Sequence, residues 1–177
     1  MSYELVSETA IPVSISALRD HCRVYGSEWD TQLTRAWTAA SLDIEKRSGV
    51  LLRPCQVEES RKGLLGLQGF VLSVGPVDKS TIIITDADGN VMTGWELDCN
   101  LVEPSINLTD RSSFSRDKIY TISYTAGFGR IPGDLMVAAL ELTAHHFENR
   151  EATTDRPLYA VPSSVWSIVQ NYGRAKV

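Results

Sequence analysis

The pattern of apolar and polar positions divides the chain into a helical beginning, a strand-rich middle and a helical end. In residues 119–125, aromatic and aliphatic side chains at even positions alternate with mostly hydroxyl side chains at odd positions, which indicates a half-buried strand. Gly127 and Gly129 then allow a sharp change of direction. Pro132 and Asp134 suit the first turn of a helix, where proline is tolerated and the helix dipole favours a carboxylate. The stretch predicts a strand, a glycine turn and a long central helix.

Helical periodicity predicts four helices, near residues 15–23, 28–48, 132–150 and 163–172. Ser14 is expected to cap the first, and Ser27 with Asp30 resembles a capping box for the second. The apolar stripe of the second helix consists of Trp29, Leu33, Ala36, Trp37, Ala40 and Ile44. The third helix has a broad apolar arc, so it is expected to pack on more than one neighbour.

Between the helices, prolines and glycines separate short β-rich runs. The strand candidates are residues 56–58, 70–74, 80–85, 95–98, 105–108 and 119–125. Residues 80–85 and 91–93 are expected to form a hairpin, whereas residues 1–13 form a short arm without clear periodicity. The predicted fold class is α+β. It is a small helical bundle with an antiparallel β-sheet region inserted at residues 50–126, within one domain that spans residues 1–177.

Composition narrows the class of protein. The chain has 177 residues, 43% of them hydrophobic and 22% charged, which is ordinary for a globular domain. A net charge of −5 argues against a general nucleic-acid binder. No apolar run approaches the length of a membrane span, and the N-terminus does not resemble a signal peptide. Cys22, Cys55 and Cys99 form no CxxC pair and are interpreted as reduced thiols of a protein made in the cytoplasm.

One polar stripe on the third helix could carry chemistry. Glu141, His145 and Glu148 share a helix face, and this spacing can bind a metal ion. A solvated stripe with an i, i+4 pair explains the same residues, and we favour it. His146 lies in the apolar arc and is expected to be a core histidine with a satisfied ring nitrogen.

No other pattern builds an active site. Asp86, Asp88 and Asn90 resemble part of a calcium loop, but the closing glutamate is absent and a tight turn accounts for them. Gly127 and Gly129 begin a G-x-G pattern that Pro132 does not continue as a dinucleotide fingerprint. We therefore expect no catalytic residues, no cofactor and no metal, and a structural or binding role.

Several motifs near both ends of the chain occur together in one known family. They are residues 12–14, 17–18, 22–24, 47–52, 124–129, 131–132, 134–135, 144–145, 147–151 and 161–172 with Arg174. With these motifs the chain resembles the head–tail connector (adaptor) proteins of tailed bacteriophages and gene transfer agents. The most specific stretch runs from Tyr124-Thr125-Ala126-Gly127-Phe128-Gly129 through Ile131-Pro132 to Phe147-Glu148-Asn149-Arg150-Glu151. The sheet region, residues 55–118, matches in character only.

The resemblance implies a structural virion protein assembled in the bacterial cytoplasm. Its subunits would form a ring, expected to be a dodecamer, beneath the portal protein. The ring would recruit a stopper or tail-completion protein, and no membrane would be involved. Genomic DNA would pass through the lumen without sequence-specific binding, and a net negative charge suits such a conduit. The alternatives are a stopper-type neck or tail-completion protein, and a small metal-binding enzyme that uses Glu141, His145 and Glu148.

The C-terminal segment is the candidate portal-binding site. The residues we assign to it are Trp166, Val169, Tyr172, Arg174 and Lys176. An apolar helix followed by a basic tail lies beyond the main helices, which motivates the hypothesis. The alternative is that Trp166 and Tyr172 cap their own bundle, because aromatic side chains are enriched in cores as well as interfaces.

Overall fold

The computed structural model describes residues 3–8, 12–64, 69–100, 103–149 and 163–173. The helices are α1 (Ile15–Cys22), α2 (Asp30–Ser48), α3 (Gly133–Glu148) and α4 (Ser163–Asn171). The strands are β1 (Tyr3–Glu8), β2 (Cys55–Lys62), β3 (Gly69–Val71), β4 (Ile83–Asp86), β5 (Trp95–Asp98), β6 (Ser105–Leu108) and β7 (Ile119–Ala126). The fold class is α+β, as predicted. No helix in the described ranges is long and apolar enough to cross a membrane.

The elements separate into two compact units, each built from two stretches of chain. The β unit comprises Met1–Ala10 and Arg53–Gly129, and the helical unit comprises Ile11–Leu52 and Arg130–Val177. All the strands belong to the first unit and all four α-helices to the second.

Helix starts in the helical unit follow local side-chain chemistry. The Oγ atom of Ser14 accepts a hydrogen bond of 3.2 Å from the backbone N–H of Ala17, so the predicted cap of α1 is confirmed. The capping box predicted at Ser27 is wrong, because α2 begins at Asp30 without a side-chain cap. The Asp30 carboxylate instead accepts bonds of 2.7 and 2.5 Å from the Arg19 guanidinium on α1. The ion pair with Arg19 holds the pKa of Asp30 below its ordinary value.

The core of the helical unit lies where α3 packs against the other three helices. Fully buried side chains include Leu18, Leu33, Ile44, Leu135, Leu142 and Val165. Neighbouring residues of the last turn of α3 contact distant points of α2 and its N-terminal cap. The Phe147 ring lies edge-on to Trp29 with centroids 6.0 Å apart, and His146 Nε2 lies 3.2 Å from Asp43 Oδ2. Trp29 and Asp43 are about 21 Å apart along an ideal helix axis.

The β unit contains two antiparallel sheets where the sequence predicted one. The four-stranded sheet has the order β1-β2-β7-β4, and the three-stranded sheet has the order β3-β6-β5. Strands β2 and β7 pair along eight residues, from Cys55↔Ala126 to Lys62↔Ile119. Along β7 the even positions are buried, as the alternation predicted. Residues 3–8, predicted as part of an arm, form the edge strand β1.

A buried polar cluster joins β2 to the segment around β3. Glu59 is 3% exposed and accepts a hydrogen bond from the Ser73 hydroxyl. Arg61 Nη2 lies 3.6 Å from Glu59 Oε2 and donates a hydrogen bond of 2.5 Å to the Val71 carbonyl. The Arg61 guanidinium also lies over the Phe70 ring, 4.9 Å from its centroid. The cluster links the two sheets through side chains.

The predicted strand at residues 80–85 begins later than expected. Residues 79–81 form a 3₁₀ turn, because the Asp78 carboxylate accepts hydrogen bonds from the backbone N–H and hydroxyl of Ser80. The predicted hairpin is confirmed at its turn, where the Asp86 N–H donates to the Asn90 carbonyl at 3.0 Å. Thr85 and Val91 form a single antiparallel bridge beyond this turn.

Candidate partner-binding site

The candidate portal-binding helix, α4, packs on its own helical unit. Val165 is fully buried and Val169 is 2% exposed, at a spacing of four residues that places both on one helix face. This face packs against α2 and α3. The opposite face presents only small or polar side chains, those of Ser163, Ser164, Ser167, Gln170 and Asn171. Burial on one side therefore leaves a polar side of α4 accessible.

Trp166 lies at the boundary between the two faces. The guanidinium carbon of Arg47, in the last turn of α2, sits 4.0 Å from the Trp166 ring centroid. A cation over the face of an indole is a favourable electrostatic contact. Trp166 is half-buried, so part of the ring remains accessible while its face holds α4 against α2.

Tyr172 follows the last turn of α4 and contacts the first turn of α3. Its hydroxyl donates a hydrogen bond of 2.8 Å to Asp134 Oδ1. Burial raises the pKa of the Tyr172 hydroxyl to about 12, and the hydrogen bond and negative charge of Asp134 act in the same direction. Asp134 also occupies the helix position where a carboxylate complements the dipole of α3.

The structure thus brings three of the five predicted portal-binding residues to one side of the helical bundle. Trp166, Val169 and Tyr172 all contact their own unit, which is what the capping alternative predicted. Arg174 and Lys176 lie outside the described residues. Whether the segment binds a partner stays a prediction.

The polar stripe of α3 does not converge on a single point. Glu141 and His145 are half-buried and Glu148 is exposed. His145 Nδ1 lies 3.3 Å from the side-chain nitrogen of Asn149. Within the described parts of the chain, no group of three His, Cys, Asp or Glu side chains is placed to hold a metal ion.

His146 is not the core histidine predicted from the helical wheel. Its Nε2 atom lies 3.2 Å from Asp43 Oδ2, so the ring has the hydrogen-bond partner that was expected. Its side chain is 30% exposed, however, so it is not buried in the core. The wheel assumed that the apolar arc is buried along its whole length. The last turn of α3 instead reaches Asp43 on the polar side of α2.

The carboxylates of the turn at residues 86–90 pair with a lysine side chain of the same chain. Asp86 Oδ1 accepts backbone hydrogen bonds of 3.0 Å from Asp88 and 2.9 Å from Asn90. Lys118 Nζ lies 2.9 Å from Asp86 Oδ2 and 3.0 Å from Asp88 Oδ2. The Lys118 ammonium, together with these backbone bonds, holds the pKa of Asp86 well below its usual range. The residues that resemble part of a calcium loop therefore form the expected tight turn, and a lysine ammonium pairs with its carboxylates.

The main surface that the sequence did not predict is the outward face of the four-stranded sheet. Val6 on β1 and Ile83 on β4 are exposed there, on opposite edges of the sheet. Residues 1–13 gave no periodic signal, because β1 is short and none of residues 3–6 is buried. The alternation of buried and exposed positions in β2 and β7 is the sequence pattern from which this exposed face could have been predicted.

Whole-chain comparison identifies similar solved structures. No protein-family profile and no characterised protein matches the sequence. A chain in the virion of a native gene transfer agent (GTA) particle has a TM-score of 0.81 and 24% identity to this chain. A chain in the neck of an empty GTA particle, computed with C6 symmetry, has a TM-score of 0.80 and 23% identity. A chain in the neck of a native GTA particle, computed with C12 symmetry, has a TM-score of 0.74 and 24% identity.

Each of these matches covers 100% of this chain and 97% of the other. The similarity therefore extends through the helices, both sheets and their connections. At this level of identity it establishes the fold. The fold resemblance predicted from the motifs near both ends of the chain is therefore confirmed.

Proposed function

We propose that the chain is a structural subunit of the neck of a phage or gene transfer agent particle. The observation that carries this proposal is the full-length fold similarity to chains of such particles, with TM-scores up to 0.81. Similarity over one unit alone would support only a shared domain. Agreement over 100% of the chain supports a shared role, since both units and their order are retained.

The specific role we propose is that of a head–tail connector, or adaptor. Its subunits form a twelvefold ring beneath the portal protein and recruit a stopper or tail-completion protein. Symmetry supports the ring, because two of the similar structures are necks computed with C6 and C12 symmetry. Genomic DNA passes through the lumen without sequence-specific contacts, and the net charge of −5 fits a conduit that does not grip phosphates.

A structural rather than enzymatic role fits the side-chain chemistry. The pair His146–Asp43 bridges α3 and α2, and Lys118 neutralises Asp86 within a turn. Both arrangements stabilise the fold, and neither presents a nucleophile beside a base. The protein is made in the bacterial cytoplasm and ends in the virion, at the junction of head and tail.

Electron microscopy of the purified chain, alone and mixed with the portal protein of the same particle, tests this role. We expect rings stacked coaxially on the portal. Rings that form only with a tail protein, and never with the portal, would instead favour the stopper or tail-completion role. A chain that remains monomeric with all of these proteins contradicts the neck proposal.

We further propose that the α4 segment docks on the portal. Val169 holds the helix in place, while the accessible part of Trp166, Tyr172 and the basic residues Arg174 and Lys176 contact the partner. Reversing the charges of Arg174 and Lys176 to glutamate is expected to weaken portal capture in a pull-down by about tenfold or more.

A matched control changes the net charge equally within the β unit. Lys62→Glu/Lys79→Glu alters two exposed lysines of the β unit and should leave portal capture intact. Equal losses in both variants would mean that only net charge matters. Undiminished capture after deletion of residues 163–177 would exclude the segment as the portal-binding site.

A further inference from the structure

The outward face of the four-stranded sheet is shaped to receive another surface. Val6 on β1 is 57% exposed and Ile83 on β4 is 51% exposed. Between them lies an open groove of about 240 Å³, with Ser123 and Thr125 of β7 in its lining. Two exposed aliphatic side chains thus flank a floor of hydroxyl groups, and Gln56 and the exposed Glu58 of β2 also line the groove.

One side of this face carries unneutralised negative charge. Glu4 on β1 lies directly opposite Glu58 on β2, and both are exposed. Neither has an ion pair within the described residues. Like charges directly opposite on neighbouring strands repel each other. The nearest lysine on the same side of β2, Lys62, is four residues away, or about 13 Å. A positively charged partner would relieve this repulsion.

The same chain presents a complementary surface on α2. Arg35, Leu42 and Lys46 are exposed and lie on one stripe, at positions i, i+7 and i+11. Leu42 is 43% exposed, and neither Arg35 nor Lys46 has an ion pair in the described parts of the chain. The stripe therefore combines one aliphatic side chain with two unpaired cations.

We propose that this α2 stripe of one copy packs on the outward sheet face of the next copy. Leu42 enters the groove between Val6 and Ile83, and Lys46 faces Glu4 and Glu58. Arg35 lies about 10 Å along the helix on the other side of Leu42. The spacings agree, since Leu42 and Lys46 are about 6 Å apart along a helix and Val6 and Glu4 about 7 Å apart along a strand. A contact between two different surfaces is heterologous, and it builds a ring when the rotation from copy to copy closes. This inference rests on the proposed ring and names the surfaces that build it.

Charge reversal tests the contact with an internal rescue. The sheet variant is Glu4→Lys/Glu58→Lys, and the helix variant is Lys46→Glu. Each variant alone places like charges at every contact, so we expect self-association to fall by about tenfold or more in sedimentation velocity at low salt, with loss of rings on the portal. A one-to-one mixture of the two variants restores opposite charges at every contact of an alternating, even-numbered ring.

The mixture is the decisive sample. Recovery of association and of rings in the mixture, but not in either variant alone, supports the sheet-to-helix contact. Circular dichroism melting curves verify that both variants are folded. Rings that survive both reversals, or folded variants that the mixture does not rescue, overturn this inference and leave the neck role intact. A wild-type chain that is monomeric both alone and with the portal overturns the inference together with the proposed ring.

Discussion

The hydroxyl of Tyr172 donates a 2.8 Å hydrogen bond to Asp134, so the end of α4 is joined to the beginning of α3. The two residues are 38 positions apart, so the hydrogen bond links the end of α4 back to the first turn of α3. Together with Trp166 on Arg47, it gives α4 a polar anchor at each side of its buried valines. The stability of this helix on its unit can therefore be tested one anchor at a time.

Removing the Tyr172 hydroxyl should weaken this anchor modestly. Tyr172→Phe keeps the ring but loses the hydrogen bond, so we expect the free energy of unfolding to fall by about 0.5–1 kcal/mol, since the bond is exposed. The thermal midpoint should fall by about 1–4 °C. Differential scanning calorimetry measures both. Tyr25→Phe, at a side chain that is 92% exposed, is the control and should change neither.

Titration of Tyr172 should make stability depend on alkaline pH. Its pKa in the folded chain is about 12, above the value of about 10 in an unfolded chain. The folded state thus retains the proton longer, so the contribution is fully present below about pH 10 and is lost as the pH rises toward 12. Phenolate absorbance of the wild type minus that of Tyr172→Phe should reveal one late-titrating tyrosine. A midpoint near 10 in this difference would contradict the assignment.

Gly127 should not tolerate a side chain. Its φ angle is +118°, and a Cβ atom there would overlap the backbone carbonyl of Arg53. We expect Gly127→Ala to lower the free energy of unfolding by at least about 3 kcal/mol, or to prevent folding. Gly129→Ala is the matched control, because a Cβ atom at residue 129 meets nothing within 4 Å. Soluble yield and urea unfolding of the two variants should differ clearly, and equal stability would contradict the geometry.

Arg61 should be essential to the buried polar cluster of the β unit. Glu59 Oε1 has no hydrogen-bond partner in the described part of the chain, so its carboxylate relies on Arg61 and Ser73. Arg61→Met leaves a buried charge without its counter-ion and is expected to lower the free energy of unfolding by about 3 kcal/mol. Adding Glu59→Gln should recover part of this loss in urea unfolding. A double variant less stable than Arg61→Met would contradict the pairing.

Lys118 should control the acid titration of Asp86. In the wild type the pKa of Asp86 is far below its ordinary value, so the folded chain keeps this carboxylate ionised in acid. The stabilisation is present above about pH 4 and is lost as the pH falls through the depressed pKa. In Lys118→Met the pKa should rise toward the ordinary value, which carboxyl ¹³C chemical shifts can follow. Asp86→Asn identifies the resonance, and an unchanged titration in Lys118→Met would contradict the role of the lysine.

The helices were predictable because their signals are local. Ser14, Gly49 and Pro132 mark helix ends by their own chemistry, and the boundaries lie within two residues of those predicted. The buried stripe of α2 follows from side-chain spacing alone, and its members Leu33, Trp37 and Ile44 are buried. Alternation likewise identified the buried face of β7.

The features that the sequence missed depend on distant partners. β1 is defined by its pairing with β2, some 50 residues away, and its own side chains give little periodic signal. Ser27 has the composition of a cap, but Asp30 is engaged by Arg19 from another helix. His146 lies on an apolar arc, yet the packing of α3 on α2 places it beside Asp43. The division into two sheets likewise follows from pairing choices that no single segment encodes.

The way the chain alternates between the two units affects its folding during translation and its behaviour on proteolysis. The chain passes between them three times, after Ala10, after Leu52 and after Gly129. During synthesis α1 and α2 emerge early but lack α3 until the whole β unit has left the ribosome. The first helices must therefore wait with their apolar stripe uncovered, where a chaperone can bind. No single cut releases either unit intact, so a protease nick at any crossing should leave fragments that remain associated until a denaturant separates them.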